Sequence, residues 1–146
     1  WNIFIWFATL VALASGLNDV GVLKWIGKGT EVYLSGLTPT MLMISMIVFF
    51  FMLHYFFASL TAHTTALLPI FIVIAAKLIA PEQLTTFMIL LTSTIGLMGI
   101  ITPYGTGPSP IWYGAGYISQ GKWWALGAIF ALIFMSVLLL GVFIFL

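Results

Sequence analysis

Two short polar stretches lie inside long apolar runs, and their side chains are the candidates for chemistry. The first is Ser-Leu-Thr-Ala-His-Thr-Thr at residues 59–65, and the second is Thr-Pro-Tyr-Gly-Thr-Gly-Pro-Ser-Pro at residues 102–110. Hydroxyl groups can donate hydrogen bonds, and a protonated imidazole donates two while adding a positive charge. These groups predict an anion-binding site that uses the hydroxyls of four residues and one imidazole: Ser59, Thr61, Thr102, Thr106 and His63.

Other kinds of chemistry find little support in the same residues. The chain has no cysteine, and it shows no nucleophile, base and acid set, so we do not expect an enzyme. His54 and His63 are not at the i,i+4 spacing of a helical metal site, and we predict neither a metal nor a cofactor. The Gly-Thr-Gly at residues 105–107 lacks the lysine of a phosphate-binding loop.

The role of His63 has two interpretations. Its imidazolium could supply the cation that an anionic substrate needs, or it could be a neutral histidine that bonds to a backbone carbonyl or a nearby threonine. His54, nine residues earlier, is expected to be structural.

The composition places these stretches in a membrane. Hydrophobic residues make up 63% of the 146 residues and charged residues only 5%, against roughly 25% charged in average soluble domains. A soluble fold could not cover its surface with so few charges, so we expect membrane lipid around the chain. There is no basic patch, which argues against nucleic-acid binding.

The elements that must position the polar stretches follow from length and from proline. We predict a transmembrane helix with an interfacial connection at 1–40, a helical hairpin at 41–80, a broken transmembrane helix at 84–120 and a terminal transmembrane helix at 123–146. A single helix over 41–80 would be about 60 Å long, twice the hydrocarbon thickness, so we predict a re-entrant hairpin with its polar tip in the membrane.

Three prolines and two glycines at residues 102–110 cannot continue a helix. Irregular backbone at membrane depth is tolerated where it is buried in protein or lines a cavity, as at transporter binding sites. The alternative is a loop at the membrane surface. We further predict Thr61 and Ser109 as N-caps of the half-helices that follow the two polar stretches, because hydroxyl side chains bond to free N–H groups there.

Residues 54–69 and 99–108 together resemble the divalent anion:sodium symporter family, most closely its bacterial branch of citrate/succinate, tartrate/succinate and 2-oxoglutarate/malate antiporters. The resemblance extends over nearly the whole chain, which is interpreted as a C-terminal portion. It implies an inverted-repeat elevator transporter and a homodimer in the bacterial inner membrane. The N-terminal repeat, with half of the binding residues, would lie outside this chain.

The family's hairpin-tip signature Ser-Asn-Thr falls on Ser59, Leu60 and Thr61, so leucine replaces the asparagine. The antiporter branch shares such departures, and the resemblance therefore implies exchange without sodium. Adding the loop residues gives the predicted substrate-binding set: Ser59, Leu60, Thr61, His63, Thr102, Pro103, Gly105, Thr106 and Gly107.

The leading hypothesis is secondary transport of di- or tricarboxylates by sodium-independent exchange. A sodium- or proton-coupled dicarboxylate symporter on the same scaffold and a membrane module without transport activity remain as alternatives.

Overall fold

The computed structural model describes residues 16, 19–21, 25, 36–57 and 59–145. The predicted transmembrane helix and interfacial connection at 1–40 therefore lie almost entirely outside the described residues. The element labels below number the helices of residues 36–145.

Within the described residues, the regular elements are five α-helices and three 3-10 turns. The α-helices are α1 (Pro39–Leu53), α2 (Leu60–Leu78), α3 (Pro81–Ser93), α4 (Ser109–Gly114) and α5 (Gln120–Phe145). The 3-10 turns are His54–Phe56, Thr94–Gly96 and Met98–Ile100. We call residues 54–59 the first break and residues 94–108 the second break.

Prolines set where two of the helices begin. Pro39 and Pro81 occupy the first turn of α1 and α3, where a missing N–H costs nothing. The Thr38 hydroxyl caps α1 by accepting a hydrogen bond of 3.3 Å from the Met41 N–H. The two prolines thus mark where α1 and α3 begin.

Four segments of the described chain are long and apolar enough to cross a membrane: Pro39–Phe56, Leu60–Leu78, Pro81–Ile100 and Gln120–Phe145. The prediction of an all-helical membrane protein is confirmed. The two arms of the predicted hairpin have 18 and 19 residues. At 1.5 Å per residue each arm is roughly 27–28 Å long, so length also allows each arm to cross the bilayer by itself.

The core forms where α1, α3 and α5 meet beside the second break. Fully buried side chains come from α1 (Ile47, Phe50), α3 (Phe87, Leu91) and the second break (Met98). The helix α5 packs against both α1 and α3, while much of its surface is exposed and apolar, as expected for a helix in lipid. The core thus holds the second break between α1 and α5.

Candidate functional site

The first break separates α1 from α2 by a 3-10 turn and a short extended stretch. Phe57 has φ −118° and ψ 139°, and Ser59 has φ −152° and ψ 131°. The Ser59 hydroxyl accepts a hydrogen bond of 3.4 Å from the Ala62 N–H. The N-cap of α2 is therefore Ser59. Our prediction of Thr61 is wrong, because Thr61 is already helical, whereas Ser59 directly before the helix has the extended backbone that a cap requires.

The predicted residues at this break differ in accessibility. Thr61 is exposed and Ser59 is partly exposed, so both hydroxyls lie near the surface of the described structure. Leu60 is partly buried and packs against the hydrophobic core. The leucine that replaces the family asparagine thus serves as an apolar contact at the start of α2.

His63 lies inside the protein. Its side chain is 0% exposed, and its ring centroid is 4.4 Å from that of Phe50, 5.2 Å from that of Phe57 and 5.4 Å from that of His54. Among the described residues neither ring nitrogen has a hydrogen-bond partner. The structure therefore shows neither an imidazole open to substrate nor the hydrogen bond of the alternative interpretation.

The second break is a folded loop that packs on the end of its own helix. The Gly105 N–H donates to the Thr102 carbonyl at 3.3 Å, which closes a turn. A Cβ added at Gly105 would lie 2.7 Å from the Gly99 carbonyl oxygen, which is closer than Cβ atoms approach other heavy atoms in proteins. Glycine at 105 is thus required for a close approach of two backbone segments.

Hydroxyl groups of the second break are used in two ways. Thr102 is 1% exposed, and its Oγ1 is buried without a partner among the described residues. The Oγ1 of Thr106 lies 2.6 Å from the Ser109 hydroxyl oxygen and accepts a hydrogen bond of 3.2 Å from the Ser109 N–H. Pro103 is partly buried, and Gly107 is exposed with open space around it.

The predicted N-cap at Ser109 is wrong. Ser109 is the first residue of α4, and the residue at the cap position is Pro108, which has no side-chain oxygen to offer. The Thr106 hydroxyl instead satisfies the free N–H of Ser109. Since α4 has only six residues, we assign no anion site to its N-terminus.

Two neighbouring side chains of the first break bond to the second break. The Tyr55 hydroxyl donates to the Met98 carbonyl at 2.7 Å, and His54 Nε2 lies 2.9 Å from the Gly105 carbonyl oxygen. Neither contact is predicted by the sequence. His54 and Gly105 are 51 residues apart in the chain, and no local sequence pattern predicts a hydrogen bond between residues so far apart.

A small open cavity of about 270 Å³ lies beside the second break. The hydroxyl-bearing residues Thr106 and Ser109 line it, together with Trp123 and apolar residues. The Nε1 of Trp123 is buried and has no partner among the described residues. Hydroxyl and indole N–H groups can donate to a carboxylate, and the cavity places Thr106 beside Ser109 and Trp123, two residues outside the predicted binding set.

A larger groove of about 640 Å³ between α1 and α2 is almost entirely apolar. Its lining includes Phe49, Leu67 and Ile74 and none of the predicted site residues. Such a surface suits lipid chains or another apolar helix.

The charged residues of the described chain are exposed and lie outside both breaks: they are Asp19, Lys77, Glu82 and Lys122. Neutral donors would therefore supply the described part of an anion site.

The family model for the transmembrane region of sodium:sulfate symporters matches residues 1–145. This chain belongs to the divalent anion:sodium symporter family. It is 51% identical over 141 residues to an L-tartrate/succinate antiporter of Escherichia coli strain K12 and to one of Shigella flexneri. An L-tartrate/succinate antiporter of Escherichia coli O6:K15:H31 is 50% identical over the same length. Each comparison covers 96% of this chain and 28% of the relative. The chain thus spans less than a third of the length of these curated relatives, and it forms part of a multi-pass membrane protein.

Proposed function

We propose that the full-length protein exchanges one dicarboxylate or tricarboxylate for another across the bacterial inner membrane, without sodium. The observation that supports this proposal is the 51% identity, over 96% of the chain, to relatives named L-tartrate/succinate antiporter. The two breaks agree with it, because interrupted helices with free backbone groups are typical of transporter binding sites.

In this proposal the hydroxyls that are accessible in the described structure contact the substrate. Thr61 offers a hydroxyl at the start of α2, and Thr106 offers one beside the cavity of the second break. The 19 residues of α2 add a partial positive charge at their N-terminus, which favours an anion near Ser59 and Thr61. Two of the three buried members of the predicted set, Thr102 and Gly105, give the loop its shape, and the third, His63, lies in α2.

Neutral donors and one helix end are too weak to bind a dianion alone. A helix N-terminus contributes typically 0.3–1 kcal/mol, whereas desolvating a carboxylate costs several kcal/mol. We therefore propose that an N-terminal repeat of the full-length protein, outside the 146 residues of this sequence, supplies the remaining donors, with α1 and α2 as a re-entrant hairpin that faces it. The homodimer implied by the family resemblance belongs to the same proposal.

Counterflow in proteoliposomes tests the proposal with the full-length protein. Vesicles loaded with unlabelled succinate and suspended in potassium buffer should accumulate labelled L-tartrate or succinate. Vesicles without internal dicarboxylate are the control and should accumulate little, since exchange needs a substrate on both sides. Equal uptake by loaded and empty vesicles would contradict exchange.

A cation-coupled symporter is the second candidate, and the family model's own description, which names sodium:sulfate symporters, favours it. The same vesicles separate the two functions when sodium replaces potassium outside. Exchange at an unchanged rate supports the antiporter. Uptake into empty vesicles that appears only with an inward sodium gradient would support the symporter.

A further inference from the structure

We propose that His54 is a positioning residue that holds the loop of the second break against the end of α1, so that the two breaks keep one relative geometry. The inference rests on the proposed function, because it concerns the site that the two breaks would share. The predicted binding residues lie on both sides of this contact: Ser59 and Thr61 follow His54 in the chain, and Thr106 follows Gly105.

The donor is rigidly placed. His54 is the first residue of the 3-10 turn after α1, and its side chain is 0% exposed. The Phe57 N–H donates to the His54 carbonyl at 2.8 Å, which fixes the turn. A carbonyl oxygen can only accept, so Nε2 of His54 must hold the hydrogen in its 2.9 Å contact with Gly105.

The acceptor belongs to an irregular loop: the Gly105 N–H closes a turn on the Thr102 carbonyl, and the hydrogen bonds of α4 begin only at the Pro108 carbonyl. Residues 101–108 lie between the last 3-10 turn and α4, and Gly105 is buried among them. A buried carbonyl without a partner is unfavourable, and more so where no water can reach it. The bond from His54 satisfies this carbonyl and at the same time ties the loop to another helix.

Tyr55 provides a natural comparison at the next position. Its hydroxyl bonds to the Met98 carbonyl, which lies in the helical part of the second break before the loop. Loss of either side-chain bond should loosen the packing of α1 on the second break. Only loss of the His54 bond should release the loop that contains Thr106.

A loop that is released must be ordered again when substrate binds, so the KM should rise while the maximal rate changes little. We expect His54→Phe, which keeps a ring but has no donor, to raise the exchange KM roughly two- to tenfold. His54→Gln places an amide near the Nε2 position and should restore the KM to within about twofold of the wild type. Tyr55→Phe is the matched control and should leave the KM within about twofold.

Amide hydrogen exchange in the full-length protein without substrate gives a second measurement that does not depend on transport. Deuterium uptake in the peptide that covers residues 101–108 should be faster in His54→Phe and near wild type in His54→Gln and Tyr55→Phe. If His54→Phe is not recovered as folded protein, His54→Asn replaces it with the same expectations, because its shorter amide does not reach Gly105.

Wild-type exchange of the loop amides in His54→Phe, or a His54→Gln variant as defective as His54→Phe, would overturn the inference. An equal rise in KM for Tyr55→Phe would also overturn it, because the effect would then be a general loosening of the helices. A wild-type protein that exchanges no dicarboxylate would refute the proposed function. The hydrogen-exchange comparison would still decide whether His54 positions the loop.

Discussion

Replacing Gly127 by alanine measures how closely α5 crosses the second break. A Cβ at this position would lie 2.7 Å from the Ile100 carbonyl oxygen and 2.7 Å from the Ile101 Cα, well inside the 3.4 Å at which ordinary contact begins. Both neighbours are backbone atoms and cannot rotate away. The helix or the break must shift as a whole to accept one methyl group.

The magnitude follows from two opposing terms. Overpacking a well-filled site costs about 1–3 kcal/mol, whereas alanine is favoured over glycine in a helix interior by about 1 kcal/mol. Gly127→Ala should therefore lower the free energy of unfolding by about 0–2 kcal/mol. Gly141→Ala in the same helix gains the same propensity but meets only the Leu90 side chain, whose Cδ2 lies at 2.9 Å and can turn aside, so it should keep most of that gain of about 1 kcal/mol.

The informative quantity is the difference in the free energy of unfolding between Gly127→Ala and Gly141→Ala, because the gain in helix propensity is common to both variants and cancels. Denaturant titration and thermal unfolding of the full-length protein in detergent should rank Gly127→Ala below Gly141→Ala by about 1–3 kcal/mol. Gly121→Ala, which has open space around it, is the control for expression and insertion. A Gly127→Ala protein as stable as the Gly141→Ala protein would refute the close crossing.

Three further predictions concern the end of the first break and the first turn of α2. Ser59→Ala should lower the free energy of unfolding by about 0.5–1 kcal/mol through loss of the α2 cap, and Ser59→Asn should retain it; chemical denaturation compares them. Thr61→Ala should leave stability unchanged and raise the exchange KM roughly two- to tenfold if its exposed hydroxyl contacts substrate; an unchanged KM would remove Thr61 from the site. His63→Ala should lower the free energy of unfolding because its ring is 0% exposed, but by less than the roughly 3–5 kcal/mol of a buried Phe or Trp truncation, because it also removes two buried ring nitrogens without partners among the described residues. The predicted charge of His63 additionally requires that His63→Gln abolish exchange, and a near wild-type rate in proteoliposomes would contradict it.

Much of the fold could be predicted from the sequence where a residue restricts its own backbone. Pro39 and Pro81 exclude continuation of a preceding helix, and they stand at the first turns of α1 and α3. The terminal span was expected at 123–146 and is observed at Gln120–Phe145. Its apolar composition determines that it is a helix, whereas its polar first turn obscured where it begins.

The first break was harder to place because neither proline nor glycine marks it. The expected polar tip covered residues 59–65, but in the structure helix α2 already begins at Leu60. Threonine, alanine and histidine all tolerate a helix, so the composition of the stretch does not decide where the helix starts. The extended backbone of Ser59 is what determines where α2 starts.

The candidate site was predictable only in its types of residue. Hydroxyl groups near two helix interruptions are visible in the sequence, but the burial of Thr102 and His63 depends on which helices pack over them. The bond from His54 to Gly105 depends on how the second break folds back on Gly99. These contacts depend on the tertiary structure, and the spacing of residues along the sequence does not predict them.

The two side chains that join the breaks both bond to main-chain carbonyls, at Met98 and Gly105. A main-chain acceptor is present whatever side chain occupies its position, so mutation can remove these bonds from the donor side far more easily than from the acceptor side. Positions 98 and 105 are then restricted by packing rather than by these bonds, because Met98 is fully buried in the core and Gly105 lies against Gly99. A deep mutational scan should accordingly find intolerance at 54, where the donor is lost, and at 105, where an added side chain would meet Gly99, for unrelated physical reasons.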